Sequence, residues 1–193
     1  MKIRQAQPQD SAQIAPLIAI IYRDMAMPVL KDVSTTALLA MLTTLYALPE
    51  NLNGLAQTLV MVDDHDQVSG VAFGHPAANE VAVNACLKSV SAAATGFTAP
   101  LELGGETRPG EWYLSMLAVD PKRQGQGIGS QLLAALPAVA QAQGLTKLSL
   151  NVDEGNPKAA KLYHRQGFVA DGQLMIGVHS YQHMIKPIAP AKD

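Results

Sequence analysis

The sequence predicts one α+β domain, a mixed central sheet with helices on both faces. Three observations point there. Segments with helical apolar spacing are interleaved with short β runs, one run (112–119) is apolar on both faces, and no repeat, low-complexity block or linker divides the 193 residues. A strand apolar on both faces belongs in the interior of a sheet covered from both sides. Roughly 100–200 residues make one domain, and a chain of this length folds without staples. The expected organisation is one domain over 1–188, with an insertion at about 77–110 and a tail over 189–193.

Lys2 to Ala6 alternates enough for a short first strand. Asp10 or Ser11 is placed to cap a first helix, because Ile14, Leu17, Ile18, Ile21, Tyr22 and Met25 recur at helical spacing. Pro16 lies near its start, where a missing amide does least harm but bends the helix, and Met27-Pro28 breaks it. Ser34 caps a second helix with Leu38, Met41, Leu42 and Leu45 on one face. Residues 58–62 and 68–73 read as strands joined by the polar turn Asp63-Asp64-His65-Asp66.

Residues 77–110 are rich in Ala, Gly, Ser and Thr, with a short helix expected through Val83, Cys86, Leu87 and Val90. Long connections of weak structure are usually functional or mobile. The strand 112–119 follows. Strict alternation places Glu111, Tyr113 and Ser115 on one face and Trp112, Leu114 and Met116 on the other, towards the core. Ile128, Leu132, Leu133, Leu136 and Ala140 mark a third helix, kinked by Pro137 and ended by Gly144. A strand over 147–152 comes next. Asn156-Pro157 supplies an N-cap and a first-turn proline for a fourth helix ending at Gly167. A strand pair closes the domain from Phe168 to the Ile185 region, and 187–193 reads as a tail.

Composition excludes several classes. A hydrophobic fraction of 48% is incompatible with intrinsic disorder. A formal charge of -2 lacks the basic footprint of a nucleic-acid binder, so none is expected as a partner. The single cysteine, Cys86, excludes an internal disulfide or a cysteine-based zinc cluster. Of His65, His75, His164, His179 and His183, only the last two have ligand-like spacing, and no metalloprotease glutamate accompanies them. No metal is expected. The apolar run 14–22 is broken by Pro16 and is far short of the roughly 20 residues of a membrane span. With no cleavage pattern of a signal peptide at the start, the expectation is a cytoplasmic protein without a membrane partner.

The chemistry concentrates in Val119-Asp120-Pro121-Lys122-Arg123-Gln124-Gly125-Gln126-Gly127-Ile128-Gly129-Ser130. A buried strand runs into a glycine-rich turn that opens an amphipathic helix. Unpaired amides and the positive dipole end at a helix start hold phosphates, and glycines let the backbone approach closely. Glycines at alternating positions exceed the needs of a plain turn. A P-loop would require a lysine before Ser130, and a dinucleotide fold would require glycine at 130 early in a βαβ unit. Both nucleotide readings fit poorly.

Gln124-x-x-Gly127-x-Gly129, preceded by Val119-x-Pro121, resembles the acetyl-CoA pyrophosphate loop of the GNAT superfamily of N-acyltransferases. Asn156-x-x-Ala159-x-x-Leu162-Tyr163, then Gly167-Phe168, resembles that family's following helix and strand. Together these motifs cover 112–168. The resemblance implies a splayed central sheet and acetyl-CoA as co-substrate, with no metal. It implies that the backbone of Gln124, Gly125, Gln126, Gly127, Ile128, Gly129 and Ser130 binds the pyrophosphate. The pantetheine arm would pair with the backbone of Leu117 and Val119, and the Leu117 N–H would face the thioester oxygen. Asn156 matches a pantetheine contact, Ala159 and Ala160 leave it room, and Tyr163 matches the acid that protonates the departing thiolate.

Many members carry a glutamate base where this chain has Tyr113, so Glu111, on the same strand face, is the tentative base, acting through a water. His75 could reach the acceptor side. The implied reaction is transfer of an acetyl group to a primary amine, small-molecule or peptide, by direct attack in a ternary complex. The alternative is a catalytically weak CoA-binding regulatory module. The 77–110 segment, the connection 25–32 and the C-terminal strands would build the acceptor side. A homodimer stays open.

Overall fold

A computed structural model describes residues 1–177 and 179–189. Val178 and residues 190–193, which hold most of the expected tail, lie outside the described residues. The strands are β1 (Lys2–Gln5), β2 (Gln57–Val62), β3 (Val68–Pro76), β4 (Trp112–Val119), β5 (Lys147–Asp153), β6 (Val169–Ile176) and β7 (His179–Pro187). They form one sheet in the order β1-β2-β3-β4-β5-β7-β6. Neighbours are antiparallel except β4 and β5, which run parallel. Pro187 therefore ends a strand rather than beginning the tail. Ile188 donates to Thr146 O at 2.9 Å, which fastens the next residue too.

The α-helices are α1 (Ser11–Asp24), α2 (Thr35–Leu45), the short α3 (Pro49–Leu52), α4 (Glu80–Ala93), α5 (Ile128–Gln141) and α6 (Pro157–Arg165). Two cores result, one on each face. Ile14, Ile18, Leu38, Leu42, Val83 and Leu87 from α1, α2 and α4 pack on Val71, Phe73 and Met116. On the other face, Ile128, Leu132, Leu133 and Leu136 of α5 pack on Leu59, Ala72, Trp112, Leu114 and Leu150. At roughly 1.5–3 kcal/mol for each fully buried large apolar side chain, these two layers supply the main drive to fold. No helix among the described residues is long and apolar enough to cross a membrane.

Local chemistry sets the helix starts. Ser34 accepts the Ala37 N–H at 3.1 Å and caps α2 as its sequence predicts. At α1 the expected cap is replaced. Asp10 occupies the N-cap without bonding the helix, and instead accepts the Gln7 N–H at 2.7 Å and both Arg4 guanidinium nitrogens at 2.7 and 2.9 Å. This joins β1 to the start of α1.

Two further expectations are corrected. The short helix expected within 77–110 is a 14-residue element, α4, with Val83 and Leu87 buried in the first core. Its low apolar density hid a narrow seam that only needs to cover α2 and β3. The rest of the segment folds back on α4: the buried Leu101 donates its N–H to the buried Ser91 Oγ at 2.8 Å. Strict alternation along β4 also fails. Phe73 pairs with Met116 but Gly74 pairs with Leu114, so Ser115 is an extra residue in a β-bulge. Beyond the bulge the faces exchange, and Met116 joins the first core while Trp112 and Leu114 stay in the second. Gly74 is required opposite it, because a Cβ there would lie 2.4 Å from both Trp112 Cη2 and Tyr113 O. Glu111, just before β4, is 1% exposed.

Candidate active site

The bulge re-aims the end of β4, and the parallel pairing with β5 stops there. Only Trp112, Tyr113 and Leu114 pair with β5, at Leu148, Ser149 and Leu150. From Ser115 to Val119, β4 has no partner on its β5 side. A cleft of about 520 Å³ opens where the strands part, lined by Leu117 and Ser115 from β4, Asn151 and Asp153 from β5, and Asn156, Ala159 and Tyr163 at α6. Its other wall carries Ile21, Asp24 and Met25 at the end of α1, and Ile176, His179 and Tyr181 from the β6–β7 hairpin.

The structure thus brings Leu117, Asn156, Ala159 and Tyr163 together around one cleft. Val119, Gln124, Gly125, Gln126, Gly127, Ile128, Gly129, Ser130 and Ala160 do not line it. Val119 ends β4, and 124–130 turn the chain from there into α5, with Ile128 buried as a core side chain. Gly125 (φ 77°) and Gly127 (φ 78°) are left-handed, and Gly127 is the N-cap of α5. A Cβ at Gly125 would meet no atom within 4 Å, so open space lies before the loop. Arg123 bonds Asp63 at 3.1 Å, tying the loop to the β2–β3 turn. Exposed glycine amides at a helix start, facing open space, fit a pyrophosphate.

Asn156 Oδ1 accepts the Ala159 N–H at 3.1 Å and caps α6, so this residue both builds the helix and borders the cleft. Tyr163 packs edge-on against Phe168, with ring centroids 6.0 Å apart. Burial pushes its phenol up to about 12, which keeps the hydroxyl protonated at neutral pH.

Glu111 does not line the cleft. Its carboxylate lies 3.3 Å from Nε2 of the equally buried His183, and its Oε2 accepts the Arg108 N–H at 3.3 Å. His183 Nδ1 donates to Asn151 Oδ1 at 2.7 Å. Asn151 Nδ2 then donates to Tyr113 Oη at 3.1 Å and to Glu106 O at 3.0 Å, and Tyr113 Oη donates to Glu106 Oε2 at 2.7 Å. A hydrogen-bonded series therefore runs from the buried Glu111 to the half-buried Glu106. Asp171 brings a carboxylate near Glu111 and His183, all within 4.8 Å, but Arg108 holds Asp171 at 2.6 Å.

Glu106 is the site residue that sequence reasoning missed, since it sits in a loop outside both motifs. It lines the cleft. Burial raises its carboxyl, against the Tyr113 hydrogen bond and with help from the Glu80 charge. His75 is buried, with Nδ1 donating to Pro76 O at 2.9 Å, and burial lowers its basicity. It lines a smaller chamber behind the cleft rather than the cleft itself.

The sequence model of the Acetyltransferase (GNAT) family matches residues 43–168. The chain belongs to the GNAT acetyltransferase family. A crystal structure described as an acetyltransferase is 38% identical, covers 98% of this chain and 100% of its own, and superposes with a TM-score of 0.83. An N-acetyltransferase from Staphylococcus aureus Mu50 is 25% identical over 96% of this chain and 100% of its own, with a TM-score of 0.78. Among curated relatives, the mycothiol acetyltransferase of Salinispora arenicola is 44% identical over 68 residues, 35% of this chain. The [ribosomal protein bS18]-alanine N-acetyltransferase of Haemophilus ducreyi is 47% identical over 58 residues, 30% of this chain. The chain covers only 22% and 40% of these two relatives. As a GNAT acetyltransferase, the chain is an acyltransferase enzyme, and the parted β4 and β5 lie inside the matched region.

Proposed function

We propose that this acetyltransferase moves an acetyl group from acetyl-CoA to a primary amine, by direct attack of the amine on the thioester. The observation that carries the reading is the cleft where β4 leaves β5, with both Leu117 and Tyr163 in its lining. The loop amides of Gln124 to Ser130 hold the pyrophosphate, and the unpaired edge of β4 at Leu117 and Val119 receives the pantetheine as an added strand. Asn156 and the small Ala159 and Ala160 border its path. The Leu117 N–H donates to the carbonyl oxygen as negative charge builds there. Tyr163 delivers its phenolic proton to sulfur as the C–S bond breaks. The acceptor enters from the opposite wall. Asp24, Glu106 and Asp153 line the cleft and no lysine or arginine among the described residues does, which suits an ammonium, on a small molecule or a peptide.

The competing reading is a CoA-binding module without turnover, favoured by Tyr113 standing where many members have a glutamate. Thiol release from acetyl-CoA across a panel of amines, beside a direct CoA-binding titration, separates the two. The panel holds an alanine-initiated peptide, L-methionine sulfone, spermidine and an amino sugar. Amine-dependent release supports transfer. CoA binding with no release above the water background for any amine supports the module.

A further inference from the structure

We propose that Glu106 is the general base, taking the proton from the acceptor ammonium in place of a glutamate on β4. The proposal rests on the acetyl-transfer reading above.

Geometry carries it. Glu106 lines the cleft together with Leu117 and Tyr163. One carboxylate oxygen, Oε2, is fixed by the Tyr113 hydroxyl at 2.7 Å. The other, Oε1, receives no donor from the described residues, although it is buried. A buried acceptor without a donor is costly unless something supplies a proton to it. Every other part of Glu106 is held. Its N–H donates to Glu80 Oε1 at 2.9 Å, its carbonyl accepts from Asn151 at 3.0 Å, and the adjacent Thr107 hydroxyl bonds Glu80 Oε2 at 3.0 Å. A loop residue anchored at its N–H, its C=O and one side-chain oxygen keeps Oε1 as the one oxygen without a donor among the described residues, ready to take a proton.

The same residue also lines a small chamber behind the cleft, about 30 Å³ in volume. Asn51 Oδ1, another buried acceptor without a donor among the described residues, faces that chamber too. A space of roughly 10–15 Å³ by this measure holds one water. The chamber has room for water beside Glu106, to which its proton can be passed.

Protons balance as follows. The ammonium loses one proton to Glu106, and the neutral amine forms the C–N bond. The nitrogen sheds a second proton while the C–S bond breaks, and Tyr163 supplies the one that sulfur takes. Solvent receives the proton from Glu106, and the second nitrogen proton restores Tyr163. The ionisable groups that line these two spaces with Glu106 are Tyr22 on α1, Tyr46 just after α2, His75 on β3, Glu80 on α4 and Tyr113 on β4 in the chamber, and Asp24, Asp153, Tyr163, His179 and Tyr181 in the cleft.

The test measures kcat/KM against pH for wild type, Glu106→Gln and Tyr113→Phe, using acetyl-CoA and the best amine of the panel above. Glutamine keeps an acceptor for the Tyr113 hydroxyl, and the melting temperature and CoA affinity verify folding. Glu106→Gln is expected to lose about 10²–10⁴-fold at neutral pH with CoA affinity unchanged. Its rate should climb tenfold per pH unit as the amine deprotonates by itself. Tyr113→Phe removes a hydrogen bond that favours the carboxylate, so it should move the acid limb to higher pH while keeping most of the plateau rate. A wild-type rate and acid limb in Glu106→Gln, or an unmoved limb in a folded Tyr113→Phe, would overturn the assignment. Bound CoA with no amine acetylated by wild type would instead remove the underlying transfer reading, and this proposal with it.

Discussion

Tyr163 both packs on Phe168 and borders the cleft, and removing one hydroxyl separates these roles. Tyr163→Phe should leave the melting temperature and CoA affinity nearly unchanged, because the ring stays. Turnover under chemistry-limited conditions should fall by about 10²–10⁴-fold; an unchanged rate would return Tyr163 to packing alone. Glu111 gives the opposite pattern. Glu111→Ala leaves His183 buried without its carboxylate, and breaking such a pair costs about 3–5 kcal/mol. Urea unfolding should show that loss; a cost below about 1 kcal/mol would mean the pair is not the fastening described here. Tyr163 was legible in the sequence because its helix carries a spaced motif. Glu106 was not, because its position depends on Glu80, Tyr113 and Asn151, 26, 7 and 45 residues away. No local pattern encodes such a meeting.

The turn from β4 into α5 carries the cofactor prediction at the level of elements. Gly127→Asp places a carboxylate before the amides expected to bind the pyrophosphate, at a left-handed position (φ 78°). Calorimetry should show CoA affinity abolished while circular dichroism shows the fold retained at a cost of about 1–2 kcal/mol; intact affinity in the folded variant would refute the loop's role. Most elements were readable from periodicity and caps, including Ser34 before α2 and Asn156 before α6. The bulge at Ser115 was not, since an extra residue leaves no mark in a strand apolar on both faces. Nor was the full length of α4, whose buried positions, Val83, Leu87 and Ser91, include a polar one. That helix also changes how the 77–110 segment can be tested. Excising it would expose the first core, so its part in acceptor choice has to be probed by substitutions in the loop around Glu106.

Over the whole molecule, the sheet joins two cores, and its first strand is held by charge. Asp10 is held below the usual carboxylate range: burial opposes ionisation, but the Arg4 hydrogen bonds, the Gln7 N–H and the Arg4 charge outweigh it. A lowered folded value means this stabilisation is complete above the unfolded value near 3.9 and fades as pH falls through the folded one. Arg4→Met should therefore raise the pH of acid unfolding and cost about 3 kcal/mol at neutral pH. An unchanged acid midpoint would show that β1 and α1 are joined by packing alone. The central claim, direct acetyl transfer from acetyl-CoA to an amine in the cleft between β4 and β5, is tested most directly by single-turnover mass spectrometry with acetyl-labelled CoA and enzyme in excess. The account predicts that the label passes to the amine, at a rate that depends on amine concentration, while the protein mass never changes. Label trapped on the protein, or released as acetate at a rate indifferent to the amine, would contradict it.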